Sequence, residues 1–113
     1  MSLKTKRIGS AIAREISTIL NEEVRDKLLK NVSITDVTVD DDLTFAKVYF
    51  MTRLDKSVNM EKELNEAAGF IRMHLAKRLN LRSTPELKFV YDKSLDYGEK
   101  IDKIIEEIHE GDE

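Results

Sequence analysis

The spacing of the apolar residues changes period along this chain, and that change limits the folds open to it. Ile8, Ile12, Ile16, Ile19 and Leu20 recur at helical spacing, Val24 extends the row, and Arg7, Arg14, Glu15, Glu22 and Glu23 fall between them. The spacing predicts an amphipathic helix over about residues 4–28. Residues 32–39, Val-Ser-Ile-Thr-Asp-Val-Thr-Val, are rich in β-branched types and read as a strand. The apolar parity shifts between Ile34 and Val37, which places a bulge near Thr35–Asp36. Asp40, Asp41 and Asp42 make a polar turn into a second strand at 44–52. There Ala46, Val48 and Phe50 face one way, and Phe45, Lys47, Tyr49 and Met51 the other.

Helical composition returns near Val58 or Asn59. Asn59 suits an N-cap, and Glu61 and Glu63 suit the first turn. The pattern passes Leu64 and Ala67 and continues to about Leu79, with Gly69 expected to interrupt or kink it, since glycine in a helix costs ~1 kcal/mol relative to alanine. Pro85 closes the following loop. Leu87, Phe89 and Tyr91 then alternate with Lys88, Val90 and Asp92 as a third strand, and Ile101, Ile104, Ile105 and Ile108 define a last helix with an acidic outer face. The order is α-β-β-α-kink-α-β with an extra C-terminal helix, an α+β arrangement with helices on one face of a three-stranded sheet. One domain is expected over 1–110, with 111–113 as a frayed acidic tail.

Composition narrows the chemistry. There is no cysteine among the 113 residues, which excludes a disulfide scaffold and a thiolate metal site. No continuous apolar run marks a signal peptide or approaches the ~20 residues of a membrane span, so a soluble, cytoplasmic protein with no membrane partner is expected. His74 and His109 have no thiol partner and no sequence cue to a serine or carboxylate. His74 has Phe70 and Arg78 at the positions one turn away where a helical zinc motif needs a second ligand. The four glycines are scattered and build no phosphate loop, and the Asp40–Asp42 run lacks the spacing and central glycine of a calcium loop. No enzyme, cofactor or metal is expected. A small hydrolase or nuclease would need a carboxylate cluster that the sequence does not display.

Charge is the more informative signal. Residues 96–113 hold eight acids against Lys100 and Lys103, a net of −6 within an overall −3, so a mildly basic body carries an acidic end. From Gly69 to Pro85 there is no acid, while Arg72, Lys77, Arg78 and Arg82 fall there. The first fourteen residues are also free of acids and contain Lys4, Lys6, Arg7 and Arg14. Cations fixed on folded elements release counterions on meeting phosphates. Charge alone divides evenly between an RNA-binding surface of these eight residues and ordinary solvated helices. On a helical wheel Arg72, Lys77 and Arg78 do not share one face.

An ordered set of segments resembles the ribosome-binding factor A family: Val32–Leu43 with Ala46–Phe50, Ala67–Arg72, Leu79–Leu87, Phe89–Asp92 with Ser94, and the opening helix with Arg7, Glu15-Ile16 and Ile19-Leu20. The resemblance covers nearly the whole chain. It implies a KH-like domain of the bacterial type II arrangement without catalysis; the sequence gives no sign of an obligate oligomer, so a monomer is expected. It also implies binding to the small ribosomal subunit and its 16S rRNA in late maturation, including growth in the cold. Ribosomal proteins and assembly GTPases are further candidate partners. A typical KH domain clamps nucleotides with a Gly-x-x-Gly loop between two helices. This chain has Ala67-Ala68-Gly69 at that joint, similar to the family's Ala-x-Gly kink, so rRNA contact is expected through phosphates gripped by the basic residues. The rival reading is a protein–protein adaptor without direct RNA binding.

Overall fold

The computed structural model describes residues 3–52, 59–81 and 83–94. The chain opens with α1 (Leu3–Glu22), followed by a 3₁₀ turn (Lys27–Asn31), β1 (Val32–Val39), β2 (Phe45–Thr52), α2 (Met60–Glu66), α3 (Ala68–Arg78) and β3 (Glu86–Tyr91). The expected last helix at 101–108 and the tail at 111–113 lie outside the described residues. The opening helix ends earlier than its apolar row suggests. The Asp26 carboxylate accepts the Leu28 N–H at 3.0 Å and caps a separate 3₁₀ turn, offering the backbone an alternative to further helix. Val24 and Leu29 still reach the core from outside the helix.

The sheet order is β1-β2-β3. β1 pairs antiparallel with β2 and its register shifts between Ile34 and Asp36, where the apolar parity changes. The hairpin turn is organised by Asp40, whose Oδ1 accepts the Thr44 N–H at 2.7 Å and the Phe45 N–H at 3.2 Å. Leu43 adopts φ 57°, the left-handed conformation that closes this turn. β3 joins β2 in parallel, with Ala46, Val48 and Phe50 opposite Leu87, Phe89 and Tyr91. A parallel pair needs a long crossover, and α2 and α3 provide it. This topology, with the helices gathered on one sheet face, is the type II KH-like α+β arrangement.

The core forms where the inward strand residues meet the helices. Val48, Phe50 and Phe89 are fully buried against Ile12, Ile16 and Ile19 of α1, Leu64 of α2, and Ile71 and Leu75 of α3. α1 lies very close to β1 at one point. A methyl group at Gly9 would come within 2.7 Å of the Val37 carbonyl oxygen, so only a residue without Cβ lets the helix seat there.

The outer edge of β3 is closed by side chains. Asn65 Nδ2 donates to the Phe89 carbonyl at 3.0 Å, and its Oδ1 accepts the Phe89 N–H at 2.9 Å. Glu61 Oε2 accepts the Tyr91 N–H at 3.0 Å. One face of α2 thus meets the Phe89 N–H and carbonyl and the Tyr91 N–H, which blunts this part of the edge for pairing. Beyond β3, Asp92 Oδ2 accepts from Thr35 Oγ1 at 2.6 Å, and its Oδ1 accepts from the Ser94 N–H and hydroxyl. The hydrogen bonds from Ser94 and then Thr35 hold the Asp92 carboxyl below its usual range.

Two expected outcomes follow for equilibrium denaturation. Alanine is the better helix former, yet Gly9→Ala should destabilise by roughly 1–3 kcal/mol, because overpacking against backbone outweighs the ~1 kcal/mol of helix propensity. Asn65→Ala should cost about 1–3 kcal/mol by leaving the Phe89 donor and acceptor unpaired. A midpoint unchanged in urea for either variant would contradict the contact described.

Candidate nucleic-acid interface

Four of the eight basic candidates lie on α1. Lys4, Lys6, Arg7 and Arg14 are all exposed. The buried positions Ile12, Ile16 and Ile19 define the inner face. Arg7 and Arg14, seven residues apart, come back to the same azimuth on the far side of the helix. None of the four has an ion-pair partner among the described residues. Thr5, between them, is buried and leaves the lysines on either side in solvent.

The α3 candidates are differently placed. Arg72 donates from Nε (3.2 Å) and Nη2 (2.8 Å) to the Thr84 carbonyl. One edge of its guanidinium therefore ties α3 to the loop that leads through buried Pro85 into β3. Arg78 sits among three carboxylates of the α1 end: Glu23 at 3.1 Å, Glu22 at 3.3 Å and Glu15 at 3.6 Å. Burial works against its charge, but the hydrogen bonds and charges of Glu23 and Glu22 outweigh this and hold its pKa above the ordinary value. Arg78 is thus a clamp between α3 and α1, and its charge is already met within the chain. Lys77 is exposed and without a partner among the described residues, whereas Arg82 lies outside them. The structure therefore brings together the α1 row, commits much of Arg72 and Arg78 to the fold, and leaves Lys77 apart.

The joint between α2 and α3 falls on Ala67. Its φ of −88° and ψ of −1° interrupt the helix for one residue, while its N–H still reaches the Glu63 and Leu64 carbonyls at 3.2 and 3.1 Å. Gly69 is the second residue of α3, with no positive φ, and a methyl there would meet nothing within 4 Å. Neither the backbone nor internal packing requires glycine at that position. His74, half-buried, stacks against Phe70 with ring centroids 4.5 Å apart, and its Nδ1 lies 3.9 Å from Glu23. The Asp40–Asp42 run is the hairpin turn. Among the described residues no group of three or more His, Cys, Asp or Glu is arranged to hold a metal ion, and no helix is long and apolar enough to cross a membrane.

The fold and these surfaces define a small KH-type domain whose Gly-x-x-Gly loop is replaced by a one-residue break and whose opening helix carries four exposed cations in a stretch free of acids. The chain belongs to the ribosome-binding factor A family, whose sequence model matches residues 4–105. It is 43% identical to ribosome-binding factor A of Staphylococcus epidermidis, over 98% of this chain and 97% of that protein. Its fold is similar to the crystal structure of ribosome-binding factor A from Thermus thermophilus, with a TM-score of 0.69, 18% identity, and 77% of this chain and 94% of that one covered. A homology model of Thermus thermophilus ribosome-binding factor A, fitted into the cryo-EM map of a 30S complex, is also similar, with a TM-score of 0.66, 18% identity and coverage of 79% and 96%.

Sequence reasoning had no sight of Glu15, Glu22 and Glu23 as partners of Arg78, since 55 to 63 residues separate them. A faint signal existed: Glu15 and Glu22 lie seven residues apart on one side of α1, with Glu23 just past its end, in a chain whose later helix is acid-free. For Gly69→Ala, thermal melting should show stabilisation of up to ~1 kcal/mol, the helix-propensity gain at an open position. A lower melting temperature would mean that the glycine is needed by the fold.

Proposed function

We propose that this protein is a noncatalytic assembly factor that binds the small ribosomal subunit and its 16S rRNA late in maturation. It grips rRNA phosphates chiefly through Lys4, Lys6, Arg7 and Arg14. The carrying observation is a set of four exposed cations in an acid-free stretch of one helix, Arg7 and Arg14 on its outer face and Lys4 and Lys6 on its flanks, with no acidic partner among the described residues. Charges left unmet by the chain are those free to release counterions from phosphate. Family membership and the 30S complex of the Thermus thermophilus relative support the choice of partner. Lys77 and the remaining edge of Arg72 give α3 a secondary contact, together with Arg82. Arg78 takes part indirectly, by fixing α3 against α1. The joint at Ala67 has no Gly-x-x-Gly clamp, so contact with folded rRNA through its backbone fits better than capture of single-stranded bases.

The test is cosedimentation with immature small, mature small and large subunits across a salt series. Wild-type protein should bind small subunits selectively, with log affinity falling linearly against log salt. Replacing Lys4, Lys6, Arg7 and Arg14 together by Gln should reduce the slope by about three, at roughly 0.7–0.9 per phosphate contact. Binding that ignores salt and survives the fourfold change would favour the adaptor reading, with an apolar protein interface.

A further inference from the structure

A second surface of opposite chemistry lies where the end of α1 and the 3₁₀ turn face the α2–α3 joint. A cleft of about 670 Å³ opens there. Its apolar lining comes from Val24, Leu29, Ala67 and Phe70, and Phe70 is 42% exposed, so its ring is open to a ligand. Asp26, Glu63 and Glu66 bring carboxylates to the same cleft, and none has a cationic partner among the described residues. Asp26 accepts the Leu28 N–H, and the Glu23 carboxylate on the rim is held by Arg78. Arg25 is the one basic residue in the lining, so negative charge prevails.

These features select an occupant. Three unpaired carboxylates repel phosphate, so nucleic acid is disfavoured at this place although it lies beside the joint where KH domains usually hold it. A bare cation is also a poor fit, because the acids form no chelating group. An apolar floor beside an exposed aromatic ring and a carboxylate rim suits lysine and arginine. Their methylene stems lie on apolar surface while their heads reach acids, and a guanidinium packs over an aromatic face. The cleft is open to solvent and wider than one such side chain needs, which suits a segment lying across it. We propose that this cleft docks a Lys/Arg-rich extended segment of a partner protein. From Arg14, the α1 cation nearest the cleft, to Glu22 the helix rises roughly 12 Å, more than a Debye length of about 8 Å. The cationic row and the acidic cleft therefore act as separate surfaces, and this proposal does not rest on the function given above.

The experiment uses the full chain, a labelled dodecapeptide of alternating Arg and Ala, its Glu-for-Arg counterpart, and a U12 oligoribonucleotide, read by anisotropy and by amide shifts. The Arg peptide should bind saturably and shift Val24, Leu29, Ala67 and Phe70, and the Glu peptide should not bind. Glu63→Gln with Glu66→Gln should weaken binding at least tenfold. Phe70→Leu, which keeps the apolar bulk and removes the ring, should weaken it severalfold. The fourfold Gln variant of the α1 row should bind the peptide as wild type does. Shifts confined to the acidic residues 96–113, or an affinity unmoved by the Glu63/Glu66 and Phe70 changes, would overturn the proposal. U12 shifting the cleft residues in place of the peptide would assign the cleft to nucleic acid instead. Cosedimentation of the same variants with small subunits reads the rRNA surface separately, so failure of one reading is distinguishable from failure of the other.

Discussion

The architecture depends on how the free edge of β3 is satisfied. A parallel strand added beside β2 leaves one row of peptide groups facing outward, and a short sheet cannot leave such a row half-buried and unpaired. Asn65 meets it with a donor and an acceptor on Phe89, and Glu61 adds an acceptor for Tyr91. These bonds fix α2 against the strand. With α2 fixed, the crossover must turn to bring Ile71 and Leu75 over the sheet, and the chain turns at Ala67. The direction of α3 then sets Arg72 against Thr84 and Arg78 against the end of α1. Positions that look unrelated in sequence are consequences of one edge being closed.

Much of this fold was legible from residue pattern. The alternation in residues 44–52 gave the buried and exposed faces of β2, and the parity change near Thr35–Asp36 marked the bulge. Asn59 caps α2, with its side chain accepting the Lys62 N–H at 3.1 Å. These are local properties, set by neighbours within a turn or a pleat. The end of α1 was not legible, because the apolar row runs on to Val24 while a local side-chain bond at Asp26 starts a different turn. The joint was expected at Ala67 and Gly69; the break falls on Ala67, while Gly69 is the second residue of α3 with no positive φ.

The charged surface was harder to read for a related reason. A run without acids says that no neighbour in sequence neutralises a base. It says nothing of acids brought in by the fold. Arg72 and Arg78 sit in such a run, yet one is committed to a carbonyl and the other to three glutamates. Lys4, Lys6, Arg7 and Arg14 sit in an equally acid-free run and keep their charge outward, because α1 meets the sheet through its other face. The cleft beside Ala67 escaped the pattern altogether, since its walls come from segments about forty residues apart in sequence and only the fold makes them neighbours.

The clamp around Arg78 has a wider consequence. One arginine meets three glutamates, so the far end of α1 keeps a surplus of negative charge while its opening turns keep only positive charge. The helix is therefore a lever with opposite charges at its ends. In the field of a large polyanion such a lever experiences a torque as well as a pull.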